Sequence, residues 1–201
     1  MTRLHLLLDA DGVVQHRPGG WDGALAAYTD DPAGLFGDLV IEEAPTVRGG
    51  GPFLPVLAKA LRKRGIRVDP EQVYADVWAA LRPHQAVLDW VAELRASGVG
   101  VHLASNQHPE RARLMREQLD YATHFDTCFF SCELGAAKPT PEFFDRVGTT
   151  LGAAPGAMVL VDDSVTNTRA ARAAGLRAAT WHHRQGIARL RRQVEPVLLA
   201  R

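Results

Sequence analysis

The chain has 201 residues, and its 23 basic side chains are balanced by 23 acidic ones. That length buries a substantial core in one domain, or in a main domain with a smaller insertion, and the charge balance excludes the basic footprint of a nucleic-acid partner. No apolar run approaches the ~18 residues of a membrane span and no cationic region followed by a long apolar one opens the chain, so a cytoplasmic protein with no membrane partner is expected.

The first predicted element is a strand over residues 4–8, apolar enough to be buried on both faces, which stops at Asp9-Ala10-Asp11-Gly12. Two carboxylates this close resist ionising together unless a cation lies between them, and Gly12 permits a turn that a side chain would hinder. Helix caps and turns collect Asp as well, so this stretch alone leaves the bland reading open.

Residues 16–83 read as helical throughout. Helices are expected over 22–29, 32–43 and 53–64, and a fourth begins at the cap Asp69 with Pro70 in its first turn and Val73, Val77, Trp78 and Leu81 on one face. So long a helical stretch after a first strand predicts an insertion, dividing the chain into a core (1–15 and 84–201) and a cap (16–83).

A strand and helix alternation follows. Helices are expected over 83–97, 109–119, 141–151 and 167–174, and strands over 99–104, 127–131, 158–161 and 176–180. A last helix over 187–199 should be interrupted or bent near Pro196. The sum is an α/β fold, a doubly wound parallel sheet of about five strands with helices on both faces.

Lys59, Lys63 and Lys138 are the only lysines. The first two suit a solvated helix face, whereas Lys138 stands in a strand-to-helix loop, Gly135-Ala136-Ala137-Lys138-Pro139. Cys128 and Cys132 read as buried thiols, and the eight histidines are scattered, with only His182-His183 adjacent, so no zinc site is expected. Arg184, Arg189, Arg191 and Arg192 read as a solvated basic face, and Phe53 and Trp78 as core of the helical insertion.

Four predicted strands end at Asp9-x-Asp11, at Ser105-Asn106, before Lys138, and at Asp162-Asp163-Ser164. In an open parallel sheet those carboxyl ends line one crevice, so acids, a hydroxyl and an ammonium should converge. In this order and at these places the four stretches resemble the motifs of the haloacid dehalogenase-like hydrolase superfamily, with a Rossmann-like core. The insertion is similar to the family's small helical cap, and Glu42-Glu43-Ala44 through Gly49 to Leu57 resembles that of its sugar-phosphatase-like branch.

The resemblance implies a magnesium-dependent phosphatase acting on a small-molecule, sugar-like or other metabolite phosphate monoester. Asp9 would be the nucleophile forming an aspartyl-phosphate and Asp11 the general acid and base. Ser105, Asn106 through its backbone N–H, and Lys138 would hold the phosphoryl oxygens. Asp9, the carbonyl of Asp11, and Asp163 would hold Mg2+, with Asp162 and Asn167 behind them. His16 and Trp21, close after the first turn, are the expected substrate contacts. A phosphomutase-type phosphotransferase, a haloacid dehalogenase and a non-catalytic phospholigand-binding module are the alternatives on the same fold.

Overall fold

The computed structural model describes residues 3–199. Its strands are β1 (His5–Leu8), β2 (Gln15–His16), β3 (Arg82–Pro83), β4 (Gly100–Ser105), β5 (Thr127–Phe130), β6 (Met158–Asp162) and β7 (Arg177–Thr180). The helices are α1 (Gly20–Leu25), α2 (Pro32–Glu42), α3 (Leu54–Lys63), α4 (Pro70–Tyr74), α5 (Gln85–Ala96), α6 (Pro109–Glu117), α7 (Tyr121–His124), α8 (Ser131–Leu134), α9 (Pro141–Leu151), α10 (Val165–Ala173) and α11 (Ile187–Leu198).

Five strands form one parallel sheet in the order β5-β4-β1-β6-β7. The central strand shows why. Its side chains alternate between faces, so Leu6 and Leu8 enter the hydrophobic cluster under α5 and α11 while Leu7 enters the one under α9 and α10. All three are fully buried, each worth about 2 kcal/mol of burial. A strand apolar on both faces needs helices above and below, and the β/α crossovers supply them. Such a sheet, flanked by helices, is the expected α/β architecture.

A third cluster, with Leu25, Leu39, Phe53, Leu57 and Trp78, is built from residues 24–78 alone. Asp69 caps α4 by accepting from the N–H of Glu71 at 3.0 Å, as expected. The expectation of helix throughout 16–83 needs correction, because His16 and Arg82–Pro83 are extended. β2 pairs antiparallel with β3, and the His84 N–H donates to the carbonyl of Val14 at 2.7 Å. Two-residue strands carry no readable periodicity, so only the tertiary pairing reveals them.

Pro196 does not interrupt α11, which continues to Leu198. It stands in the last turn, so its missing N–H costs the Arg192 carbonyl its helical donor, but only two helical residues follow it. Among the described residues no helix is long and apolar enough to cross a membrane.

Candidate active site

At the carboxyl ends of β1 and β6 the chain buries a cation among acids. The Lys138 side chain is 1% exposed, and its ammonium donates to Asp9 Oδ1 at 2.9 Å, to Asp162 Oδ2 at 2.6 Å and to the carbonyl of Ala104 at 2.7 Å. An ammonium has three N–H bonds, so each one faces a protein oxygen. Burial alone would lower the Lys138 pKa, but Asp9 and Asp162 outweigh it and hold the ammonium above its ordinary range. Burial pushes the Asp9 carboxyl up to about 7 against the pull of Lys138, with the Asp162 charge adding to the rise.

The loop that brings Lys138 here is locked by Asn106. Its side chain accepts from the Lys138 N–H at 2.9 Å and donates to the Lys138 carbonyl at 2.7 Å. Asp162 is fixed in turn by the Ser164 N–H at 2.8 Å and by Asn167 Nδ2, 3.1 Å from each carboxylate oxygen. Asn167 therefore reaches Lys138 only through Asp162.

Carboxylate oxygens of Asp9, Asp162 and Asp163 lie within 4.8 Å of one another. Asp163 is the exposed member, and desolvation with the neighbouring Asp162 charge raises its pKa to about 6. Gly12 makes room for it: its φ is +77°, and a Cβ there would lie 2.3 Å from Asp163 Oδ2. All-oxygen donors under like-charge strain, cradled by a glycine, fit a hard divalent cation such as Mg2+.

Asp11 faces a different partner. Arg111, from α6, clamps its two oxygens at 2.8 and 2.9 Å, while Gln15 and Gln107 donate at 3.0 and 3.2 Å. Burial would raise the Asp11 pKa, but the guanidinium and the amides outweigh it and keep the group below the usual carboxylate range. Gln107 also donates to Ser105 Oγ at 2.9 Å. The pair borders a cavity of about 170 Å³ lined by Trp21, Phe36, Glu43, Trp78 and His108. Burial raises Glu43 in that wall to about 7, against Arg111, and His108 Nε2 and Arg111 Nε are buried without a hydrogen-bond partner among the described residues. A larger hollow of about 530 Å³ near Phe144, Met158 and Leu176 lies at the opposite end of the strands, away from the carboxylates.

The structure thus gathers Asp9, Asp162, Asp163 and Lys138, links Asn106 and Asn167 to that group through hydrogen bonds, and connects Ser105 to Asp11 through Gln107. Trp21 lines the small cavity, where the Arg111 guanidinium lies 5.1 Å from its ring centroid. His16 stands apart from it, beside His84 and His183. Two sequence expectations are corrected here: the histidines are not all scattered, because β2, β3 and the end of β7 bring three together, and Cys128 and Cys132 are half-buried rather than buried. Burial still pushes both thiols up to about 11.

Arg111 is missed by sequence reasoning, as are Gln15, Gln107 and His108 around it. It lies four positions before Met115, hence on the inward face of α6, and that spacing is the signal that marks it as buried.

The model of the haloacid dehalogenase-like hydrolases matches residues 19–175. The chain is 28% identical to the bifunctional epoxide hydrolase 2 of Rattus norvegicus over 183 residues, covering 82% of this chain and 32% of that protein. It is 33% identical to the phosphoserine phosphatase of Thermus thermophilus over 160 residues, covering 77% of this chain and 56% of the relative. The chain therefore spans about a third of the first relative's length and about half of the second's. A HAD family enzyme of Bacteroides thetaiotaomicron, solved as a magnesium complex, superposes with a TM-score of 0.78 at 22% identity, over 94% of this chain and 98% of that one.

Proposed function

The chain belongs to the haloacid dehalogenase-like hydrolase family, and on that footing we propose that it is a magnesium-dependent cytoplasmic phosphatase for a small-molecule phosphate monoester, with residues 16–83 as its cap. One observation carries this reading: Lys138 Nζ lies 2.9 Å from Asp9 Oδ1, where Asp9, Asp162 and Asp163 bring carboxylate oxygens within 4.8 Å of one another. A phosphate dianion repels an attacking carboxylate, so the nucleophile has to stand among cations. The magnesium complex of the Bacteroides relative and the name of the Thermus relative support the same chemistry.

In this mechanism Asp9 attacks phosphorus as the bond to the leaving oxygen breaks, giving an aspartyl-phosphate. Water then attacks that phosphorus, releasing inorganic phosphate and restoring Asp9. Asp11 gives a proton to the leaving oxygen and later takes one from the water. Its pair with Arg111 holds the carboxylate form that the second step needs; for the first, a leaving group entering the cavity has to part them and Asp11 has to take up a proton from solvent, which it then passes to the leaving oxygen. Ser105, the Asn106 N–H and Lys138 serve as donors to the phosphoryl oxygens, the ammonium by sharing a hydrogen it already gives to protein.

Asp9, the Asp11 carbonyl and Asp163 are the proposed magnesium ligands; when bound, the ion offsets the charge between nucleophile and phosphate. Asp162 and Asn167 orient Lys138 from behind. A cavity of about 170 Å³ admits only a short leaving group, and Glu43, Arg111 and His108 give it polar contacts suited to a sugar-like or other small polar alcohol.

Asp9→Asn keeps the side-chain size and an acceptor for Lys138. It is expected to fold to the wild-type secondary structure while hydrolysis of an aryl phosphate falls more than about a thousandfold. Chelation of divalent ions should stop wild-type turnover, and added magnesium should restore it. Wild-type-like turnover by Asp9→Asn, or turnover indifferent to chelation, would overturn the assignment.

A further inference from the structure

A second cluster of ligating atoms lies outside the carboxylate group. His16 closes β2, His84 follows β3, and His183 follows β7, yet one imidazole nitrogen from each lies within 4.8 Å of the other two. The backbone holds all three carriers in place: His16 is in register with Arg82, the His84 N–H donates to the Val14 carbonyl at 2.7 Å, and the His183 N–H donates to the Gly12 carbonyl at 2.8 Å.

The rings meet nitrogen to nitrogen. His84 Nε2 and His183 Nδ1 are 2.6 Å apart, a contact that requires at least one of them to be an unprotonated acceptor. His16 Nδ1 is buried without a hydrogen-bond partner among the described residues. One ring with a buried nitrogen left over and two rings whose nitrogens crowd each other, all three offering a nitrogen within 4.8 Å of the others, is the arrangement three ligands take when they share a centre.

We propose that His16, His84 and His183 form a three-imidazole site for a borderline transition-metal ion of the zinc class, separate from the carboxylate site. The donor set is nitrogen only, which suits zinc and disfavours magnesium, whereas the Asp9 and Asp163 group has the opposite preference. His182 lies outside the ligand set: its Nδ1 accepts from the Arg184 N–H at 3.1 Å. His16 and His183 line a crevice of about 680 Å³ that also reaches Asp163, leaving room for water as a fourth ligand. A metal there ties both chain crossings between the sheet and the helical segment to the end of β7. The site stands whether or not the chain is a phosphatase, since no residue of it belongs to the proposed reaction.

The test is a zinc titration of the whole chain by equilibrium dialysis in saturating magnesium, which keeps the carboxylates occupied. One equivalent of zinc is expected, and cobalt in its place should give the intense visible bands of a tetrahedral nitrogen site. His84→Gln and His183→Gln should each weaken zinc more than about a hundredfold, beyond the loss typical of groups that only support a ligand, while His182→Gln binds as wild type. The wild-type cobalt spectrum decides the matter even if a variant fails to fold. No zinc bound beside magnesium, zinc that survives both substitutions, or equal loss in His182→Gln would overturn the site.

Discussion

Lys138 shows how much depends on a single side chain. A fully buried ammonium between two carboxylates is tolerable only as a set, because each charge has given up its water and relies on the others. Lys138→Met removes the cation and leaves Asp9 and Asp162 facing each other, and is expected to cost about 3–5 kcal/mol of stability. The same logic predicts a partial rescue. Adding Asp162→Asn removes one of the two opposed charges, so the double variant should be more stable than Lys138→Met alone by at least about 1 kcal/mol. Urea melts of the four proteins in the cycle measure the coupling; strict additivity would mean that the three groups do not act as a unit.

At the scale of elements, a side-chain cap is one of the contacts that join the helical segment to the core. α3 begins without a side-chain cap of its own, and Glu110 from α6 supplies it, accepting from the N–H groups of Phe53 and Leu54 at 2.8 and 3.2 Å. Glu110→Ala should therefore free that end of α3 at a cost of about 1 kcal/mol, read as faster amide exchange over residues 53–57 with the sheet unchanged. Exchange that accelerates equally in β1 would show that the contact supports the whole fold instead. Periodicity made α3 legible in the sequence, since Leu57 and Leu61 repeat at helical spacing, and an unbroken apolar run did the same for β1. Glu110 gave no such sign, because its partners are backbone groups 56 and 57 positions away. The β2 and β3 ribbon and the histidine triad were hidden for the same reason. Asp9, Lys138 and Asp163 were legible because they follow strand ends, whereas only its spacing from Met115 sets Arg111 apart from the other arginines of α6.

The molecule as a whole combines opposing responses to acid. His5 on β1 and His102 on β4 stack in the interior, with His5 Nδ1 3.0 Å from His102 Nε2; a Cβ on Gly100 would lie 2.6 Å from His5 Nδ1, so only glycine admits the pair. Burial, with the neighbouring imidazole, lowers His102 to about 4, and burial lowers His5 as well. The unfolded chain therefore binds more protons than the folded one between about pH 6.5 and 4, and the stability that the pair contributes is complete above that window and lost as pH falls through it. For His102 the full loss across that window is on the order of 3 kcal/mol. Asp9 and Asp163 act in the opposite sense, because carboxyls raised to about 7 and 6 make the folded state the better proton acceptor as pH falls. The net pH dependence is then a balance of opposing terms, and only a variant isolates one of them. His102→Gln keeps polar atoms in the sheet but cannot titrate, so its urea stability should fall less than that of wild type between pH 7 and pH 5, by on the order of 1–2 kcal/mol. If both proteins lose stability in parallel, the buried imidazoles are not the groups that take up the proton.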